Sequence, residues 1–396
     1  MSEPQRAAPS AGRRQGPVMP SSASVVRVVQ GMLPSVVTTV VAVLLALVVG
    51  AVLIIFTDTE ALHAIGRGDI GYVFQRVWDS YRALVSGAVG GGSQIATTLE
   101  YAAPLICAGL GVTLAFRAGL FNIGAQGQLI AGSALCAFVG FHWHIPGVAH
   151  IVVALIAAIV GGAVWGAIAG VLKARTGAHE VITTMMLNYV AKYGLWFLLT
   201  KSAWIRPGQT NPTSPRVDDN ALFPTVLGFH SGVILALVVA IGVWWLLERT
   251  TWGFEMRAVG ANPEASRTAG MSIARVTTIV LTLSGLLAGL GGAMQILGQD
   301  NDLTQGTGGS IGFDAITVAL LGRATPLGTV FAGILWGGLQ TGSAAMQAAA
   351  STPAELTEVI QALIVMFVAA PALVREIVRL RIISKEQTLA TKGWGG

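Results

Sequence analysis

Few side chains in this sequence could do chemistry inside an apolar setting, and they fall in three places. Asn122, Gln126 and Gln128 stand among Gly119, Gly124 and Gly127. Glycines let another backbone approach closely, and primary amides can bond hydroxyl groups or the edges of a base. Equally, amides can bridge neighbouring helices, at a gain of about 1 kcal/mol in a bilayer. Asn188 and Lys192 are four residues apart, on one face of a helix. Placing such a lysine at mid-bilayer costs on the order of 2.5–3.5 kcal/mol, so it faces a bundle or a wet cavity, bonds a carbonyl, or snorkels. Asp314 opens a short apolar segment after Asp300 and Asp302, where it could cap a half-helix or meet a solute or partner. Glu180 begins another apolar run and complements a helix dipole there.

Other kinds of chemistry are missing. No lysine follows a glycine, so the phosphate-cradling Gly-x-x-x-x-Gly-Lys loop is absent. His179 and Glu180 lack the second histidine of a metalloprotease helix, and no nucleophile motif assembles. Cys107 and Cys136 lie in apolar stretches, too few for a disulfide scaffold or a metal cluster. Acids suited to an ion-driven carrier reduce to Asp314, with Glu100 near a span. An enzyme is not expected.

The composition says which elements hold these groups. Of 396 residues, 53% are hydrophobic and 11% charged, with 50 glycines and a mean hydropathy of +0.69. A soluble domain carries about 25% charged residues, so two or three soluble domains could not be coated. The expected fold is an all-α polytopic membrane protein. The uncharged run Leu33–Phe56 makes a helix of about 36 Å, enough to cross roughly 30 Å of hydrocarbon and too long for a cleaved signal. Nine more segments follow: Ile95–Phe116, Leu120–Phe141, Val148–Leu172, Val181–Leu199, Ser231–Leu247, Val276–Leu297, Ile311–Gly322, Leu327–Met346 and Leu356–Leu373. Ten transmembrane helices result, the eighth too short to cross comfortably.

With a cytoplasmic N-terminus, the inward segments hold seventeen Lys and Arg against six outward, and Lys192 lies within a span. That asymmetry is the positive-inside pattern, with both termini inside. The net charge of +5 therefore marks topology rather than a nucleic-acid partner. Residues 1–30 read as a disordered cytoplasmic tail, 31–374 as the transmembrane domain and 375–396 as a second cytoplasmic tail. External residues 57–94 carry Tyr72, Val73, Phe74, Val77, Trp78, Tyr81 and Leu84 at helical spacing. They are expected to lie flat on the outer interface, with Trp78 and Tyr81 at headgroup level. Thr200–His230, with four prolines, is expected to be irregular. Ala-Gly-Leu-Gly recurs at 108–111 and 288–291, which so glycine-rich a chain produces by coincidence.

The longest internal cytoplasmic segment is 248–275. Asn262-Pro263-Glu264 starts a helix there: an N-cap, a proline at the first helical position and an acid in the first turn. Gly270 supplies the stop, leaving about two turns that are either a solvated connector or a rigid transmitter of motion. This segment resembles the coupling region of ATP-binding cassette (ABC) importer permeases, in the branch serving simple sugars, branched-chain amino acids and nucleosides. Four runs in chain order carry the resemblance: FRAGLFNIGAQGQ at 116–128, HEVITTMMLNY at 179–189, RAVGANPEA at 257–265 and GFDAITVALLG at 312–322. From about Tyr101 to Ala370 they are similar to the longer permease of nucleoside importers. That family usually carries Glu where this chain has Gln126, so no carboxylate role transfers there.

The resemblance implies a fold similar to the ten-helix permeases of vitamin B12 importers, in a bacterial cell membrane. It implies an extracellular substrate-binding lipoprotein, a second permease in a heterodimer, and a cytoplasmic ATPase that binds ATP and magnesium, leaving this chain without a cofactor. Coupling to the ATPase would run through Arg257, Asn262, Pro263, Glu264, Ala265, Arg267 and Gly270. Candidates for the solute path are Asn122, Gln126, Gln128, Asn188, Lys192 and Asp314. A simple-sugar permease and a stand-alone secondary carrier are the alternatives.

Overall fold

The computed structural model describes residues 41–209, 211–350 and 352–370. The two expected tails and the start of the first span lie outside the described residues. Helix α1 (Val41–Thr57) ends at Asp58, whose Oδ1 accepts the amides of Glu60 and Ala61 at 2.9 and 3.2 Å and so caps α2 (Thr59–Gly66). A cap of this kind starts a new helix in a new direction, and α1 and α2 meet at 86°. A 2.6 Å ion pair from Asp58 to Arg76 ties the corner to α3 (Ile70–Val89).

The expected stripe on α3 is a helical face, divided between packed and exposed residues. Val77, Tyr81 and Leu84 pack into a cluster with α1, and the Tyr81 hydroxyl donates to Leu47 O at 2.5 Å. Phe74 and Trp78 fall on the other side and are exposed. Tyr81 therefore packs against α1 through its ring and its hydroxyl.

Helix α4 (Gly92–Arg117) forms the centre, with every residue from Ala102 to Ala115 buried. A helix that is apolar all round is one with neighbours on every side. Those neighbours include α11 (Ile273–Gln295) and, later in the chain, residues 326–350, with α6 (Val148–Thr176) packed on α11 and α5 (Ala125–His142) packed on both α6 and α11. Gly162 and Gly166 of α6 face Gly285 and Gly289 of α11, and a β-carbon on any of them would run into the opposite backbone. Small residues four apart allow this approach, the usual substitute in a bilayer for a hydrophobic driving force. The two Ala-Gly-Leu-Gly copies also meet. A β-carbon on Gly111 would lie 2.6 Å from Ser284 O of α11, and one on Gly291 would lie 2.8 Å from Pro104 O of α4. Gly109 and Gly289 instead face other helices, Gly109 towards Thr329 and Val318 and Gly289 towards Ala158 and Gly162, so the recurrence does not build one repeated contact.

After α7 (Glu180–Leu198), the proline-rich loop follows the ends of other helices, mostly as irregular chain, with a 3-10 turn at Asp219–Ala221. Val217 N–H donates to Asn301 O, Asp218 N–H to Gly140 O, and Arg206 pairs with Asp302 at 2.8 Å. A short hairpin, β1 (Thr225–Val226) and β2 (Phe229–His230), leads into α8 (Gly232–Arg249). Two short helices follow, α9 (Thr251–Ala261) and α10 (Pro263–Thr268), then α11, α12 (Ile311–Leu321), α13 (Pro326–Ala350) and α14 (Ala354–Ala369).

Among the described residues, α4, α6, α8 and the stretch Ile273–Asp300 are long and apolar enough to cross a membrane, and the bent α1–α2 pair would make a fifth. The other expected spans are helical too. Gln126 and Gln128 in α5, and Glu180, Asn188 and Lys192 in α7, lower the hydropathy of their helices. At about 16 Å, α12 covers half a bilayer. The third segment begins at Ala125 rather than Leu120: Gly119 at φ +70° breaks the chain, and Asn122 accepts the Gly124 amide at 2.8 Å.

Candidate functional site

The segment 248–275 is built by local rules at one end and distant contacts at the other. Asn262 closes α9 and caps α10, its Oδ1 accepting the Ala265 amide at 3.0 Å, with Pro263 at the first position. Glu264 and Arg267 approach to 3.5 Å in solvent, a contact that contributes little. Gly270 ends the segment at φ +86°, where only glycine is unstrained. Ser266 is buried as an anchor, while Glu264, Ala265 and Arg267 are exposed. The expected short helix is present with its expected cap and stop. Sequence reasoning missed α9, whose start is Thr250 accepting the Gly253 amide at 3.0 Å.

Helix α9 is locked to the inner end of α4. Glu248 bridges Arg117, at 2.7 Å, and Arg257, at 3.5 Å. A β-carbon on Gly260 would lie 2.5 Å from Arg117 O, so the two backbones touch. α10 is thereby joined, through α9, to the central helix.

The amides sit deeper. Asn122 donates to Gln128 Oε1 at 3.0 Å and to Ser284 Oγ at 2.7 Å, and all three side chains are buried. Gln126 accepts the Gly312 amide at 2.7 Å and donates to Gly309 O at 3.0 Å. A glutamate there could accept but not donate, which gives the amide a physical reason. Asn188 accepts the Gly127 amide at 2.8 Å and donates to Ile123 O at 2.9 Å. Together these bonds hold the non-helical chain before α5 and the start of α12.

Asn122 and Gln128 thus turn to each other within packed helices. Gln126, Asn188 and Lys192 line one cavity of about 290 Å³ with Gln305 and Thr307. Lys192 is exposed and lies 5.2 Å from the Trp196 ring, one turn on, while Asn188 is buried. Asp314 does not cap α12. It accepts the Ser310 hydroxyl at 2.7 Å from the first turn, and Gln126 takes the free amide. It lines a second cavity of about 520 Å³, within the range of small-molecule sites, with Glu100, Gln295, Gln299, Asp300 and Gln340. These last five were not picked out as a set, because they come from three stretches far apart in sequence, α4, the end of the Ile273–Asp300 helix and α13. At the inner end, Lys173 meets Glu180 at 2.6 Å. Burial raises the Glu180 carboxyl, but the Lys173 hydrogen bond and charge, with backbone donors, outweigh it and hold the group below the usual carboxylate range.

Residues 94–369 match the family described as branched-chain amino acid transport system / permease component. The chain is 36% identical over 304 residues to the guanosine ABC transporter permease NupP of Bacillus subtilis, covering 76% of this chain and 87% of NupP. It is 33% identical over 313 residues to the nucleoside permease NupB of Lactococcus lactis, covering 76% and 85%. To the glucose permease TsgB13 of Haloferax volcanii it is 33% identical over 344 residues, covering 83% and 86%. No solved structure matches. A buried helical bundle, a capped helix braced against it and a match over most of the chain agree: the protein belongs to the branched-chain amino acid transport system permease family, as an ABC transporter permease subunit that is not itself an enzyme.

Proposed function

We propose that this chain is the longer permease of a nucleoside importer in a bacterial cell membrane. With a second permease it forms the solute path, and it is driven by a cytoplasmic ATPase and supplied by an extracellular substrate-binding lipoprotein. The observation that carries the coupling role is α10, a capped helix with an exposed face, braced through α9 onto a fully buried helix. Nucleosides are favoured because the two permeases named for guanosine and nucleosides match with 36% and 33% identity. A sugar permease is the second reading, favoured by TsgB13, whose match covers 83% of this chain. The ten-crossing arrangement is supported by α12 and the loop before it: together they run from the end of α11 to beside Val112 and Phe116 of α4, and Thr329 at the start of α13 bonds Thr113 near the opposite end of α4 from Glu100. Gln126, Asn188, Lys192 and Asp314 are the path residues this reading retains.

Uptake of labelled guanosine and labelled glucose, in cells carrying the chain with and without its ATPase partner, tests the reading. Guanosine uptake that needs the ATPase is expected. ATPase-dependent glucose uptake alone would select the sugar permease. Uptake that persists without the ATPase and collapses with an ionophore would select the carrier.

A further inference from the structure

The outer cavity of about 520 Å³ holds three carboxylates, Glu100, Asp300 and Asp314, and no lysine or arginine lines it. It lies at the far end of the bundle from the coupling segment, since α11 runs about 34 Å from Ile273 beside α10 to Gln295 at the cavity. Its acceptors are held in place. Glu100 Oε1 takes the His230 amide at 3.0 Å, Gln299 donates to Glu100 O at 2.7 Å, and Asp314 takes the Ser310 hydroxyl at 2.7 Å. Gln295 is 9% exposed, and its Oε1 is buried with no hydrogen-bond partner among the described residues. A buried acceptor with no donor is a costly arrangement that a bound hydroxyl would relieve.

We propose that this cavity is the outer vestibule of the path, and that it admits uncharged, hydroxyl-bearing solutes while turning away their phosphorylated forms. The proposal rests on the nucleoside-permease reading and adds the selectivity. Carboxylates accept hydrogen bonds from ribose hydroxyls well, as acidic side chains do in dinucleotide sites, and an amide oxygen adds a further acceptor. A phosphate brings negative charge to a negatively lined, partly dry cavity, where repulsion is screened less than in water. A metal ion is not the occupant that the geometry favours: among the described residues no three His, Cys, Asp or Glu side chains are grouped to hold one.

The test uses the chain assembled with its partner permease and ATPase in nanodiscs, carrying Cys107→Ala, Cys136→Ala and a reporter, Gln340→Cys, in the cavity wall. Modification rates are measured with a cationic trimethylammonium methanethiosulfonate and an anionic sulfonate methanethiosulfonate, each divided by its rate on free cysteine. The cationic reagent is expected to be favoured on the order of tenfold, as a charged cleft concentrates counter-ions. Asp314→Asn should lower that ratio, and adding Glu100→Gln and Asp300→Asn should bring it to that of the free thiol. Guanosine at millimolar concentration should slow modification, and guanosine 5′-monophosphate should not. A ratio near one in the reporter protein, or equal protection by the monophosphate, overturns the proposal. Protection by glucose and not guanosine supports the filter and overturns the nucleoside reading. Guanosine transport by the same complex with no protection by any solute overturns the vestibule and leaves the nucleoside reading standing.

Discussion

Asn188 closes both edges of the chain that precedes α5, with one bond to Gly127 N–H and one to Ile123 O. Replacing it with alanine leaves a buried donor and a buried acceptor without partners, at about 1–3 kcal/mol each. We expect Asn188→Ala to lower the unfolding temperature of the detergent-solubilised protein, followed by intrinsic fluorescence. Asn188→Asp should be no better, because a carboxylate cannot donate to Ile123 O. Lys192→Met should leave the unfolding temperature almost unchanged, since an exposed cation–π contact contributes only about 0.5–1 kcal/mol. Equal losses in the alanine and methionine variants would show that Lys192 is as deeply engaged as Asn188. His230 sets a second expectation at this scale. Its ring is buried and stacked on Phe223, with centroids 5.7 Å apart and neither ring nitrogen partnered among the described residues. Burial pushes the imidazole down to about 4, with the neighbouring Glu100 backbone opposing weakly. An unfolded histidine titrates near 6.5, so between there and about 4 the unfolded chain binds more protons. Stability from this site is full above about pH 6.5 and is lost as the pH falls, by about 2 kcal/mol at pH 5. The unfolding temperature should therefore fall between pH 7 and pH 5, and His230→Gln should flatten that slope; an unchanged slope would place the acid sensitivity elsewhere.

Helices α9 and α10 carry the expectation for elements. Asn262→Ala removes the α10 cap at about 1 kcal/mol, and Ala265→Trp adds bulk to its exposed face without touching the cap. Gly260→Val instead drives a side chain into Arg117 O and separates α9 from α4. All three should insert normally, yet lose nucleoside-stimulated ATP hydrolysis in the assembled importer. Normal stimulation in all three would remove the coupling role from this segment. The contrast between these positions also shows what a sequence can display. α10 was legible because Asn262, Pro263 and Gly270 act within one turn of the helix they define. α9 was not, because what places it is Gly119, Arg117 and Glu248, contacts made only once the chain has folded. Most segment limits fell within a few residues, since long apolar runs have few alternatives to helix. The third segment was misjudged because its local breakers, Gly119 at φ +70° and the Asn122 bond to the Gly124 amide, were read as part of an apolar run, and the close approach of Gly119 to Gly260 that accompanies the break is made only in the fold. Gln126 was visible as a candidate, but its partners Gly309 and Gly312 are more than 180 residues away, so its bracing of α12 could not be read.

At the scale of the whole molecule, the arrangement across the membrane makes claims on both ends of single helices. Helix α8 alone connects the outer hairpin, where Leu227 is 88% exposed, to the coupling segment, where the Glu264 side chain is 78% exposed. If α8 crosses the membrane, as its length and apolarity allow, the two exposed positions lie on opposite sides. In a protein lacking Cys107 and Cys136, Leu227→Cys should react with an impermeant maleimide on intact cells, and Glu264→Cys only after permeabilisation. The pair fixes orientation but not the number of crossings, because every later segment could still change the parity. Lys385→Cys supplies that. If the loop 301–310 and α12 together cross once, three further traverses follow the coupling segment before α14, and α14 brings the chain back to the cytoplasmic side, where seventeen Lys and Arg against six already point. Labelling at 385 should then require permeabilisation. If instead α12 turns back without crossing, the same helices deliver the basic tail to the outside, against the charge asymmetry, and Lys385→Cys reacts on intact cells. That result would overturn the ten-crossing arrangement while leaving Leu227 and Glu264, and the membership of the family, as they are.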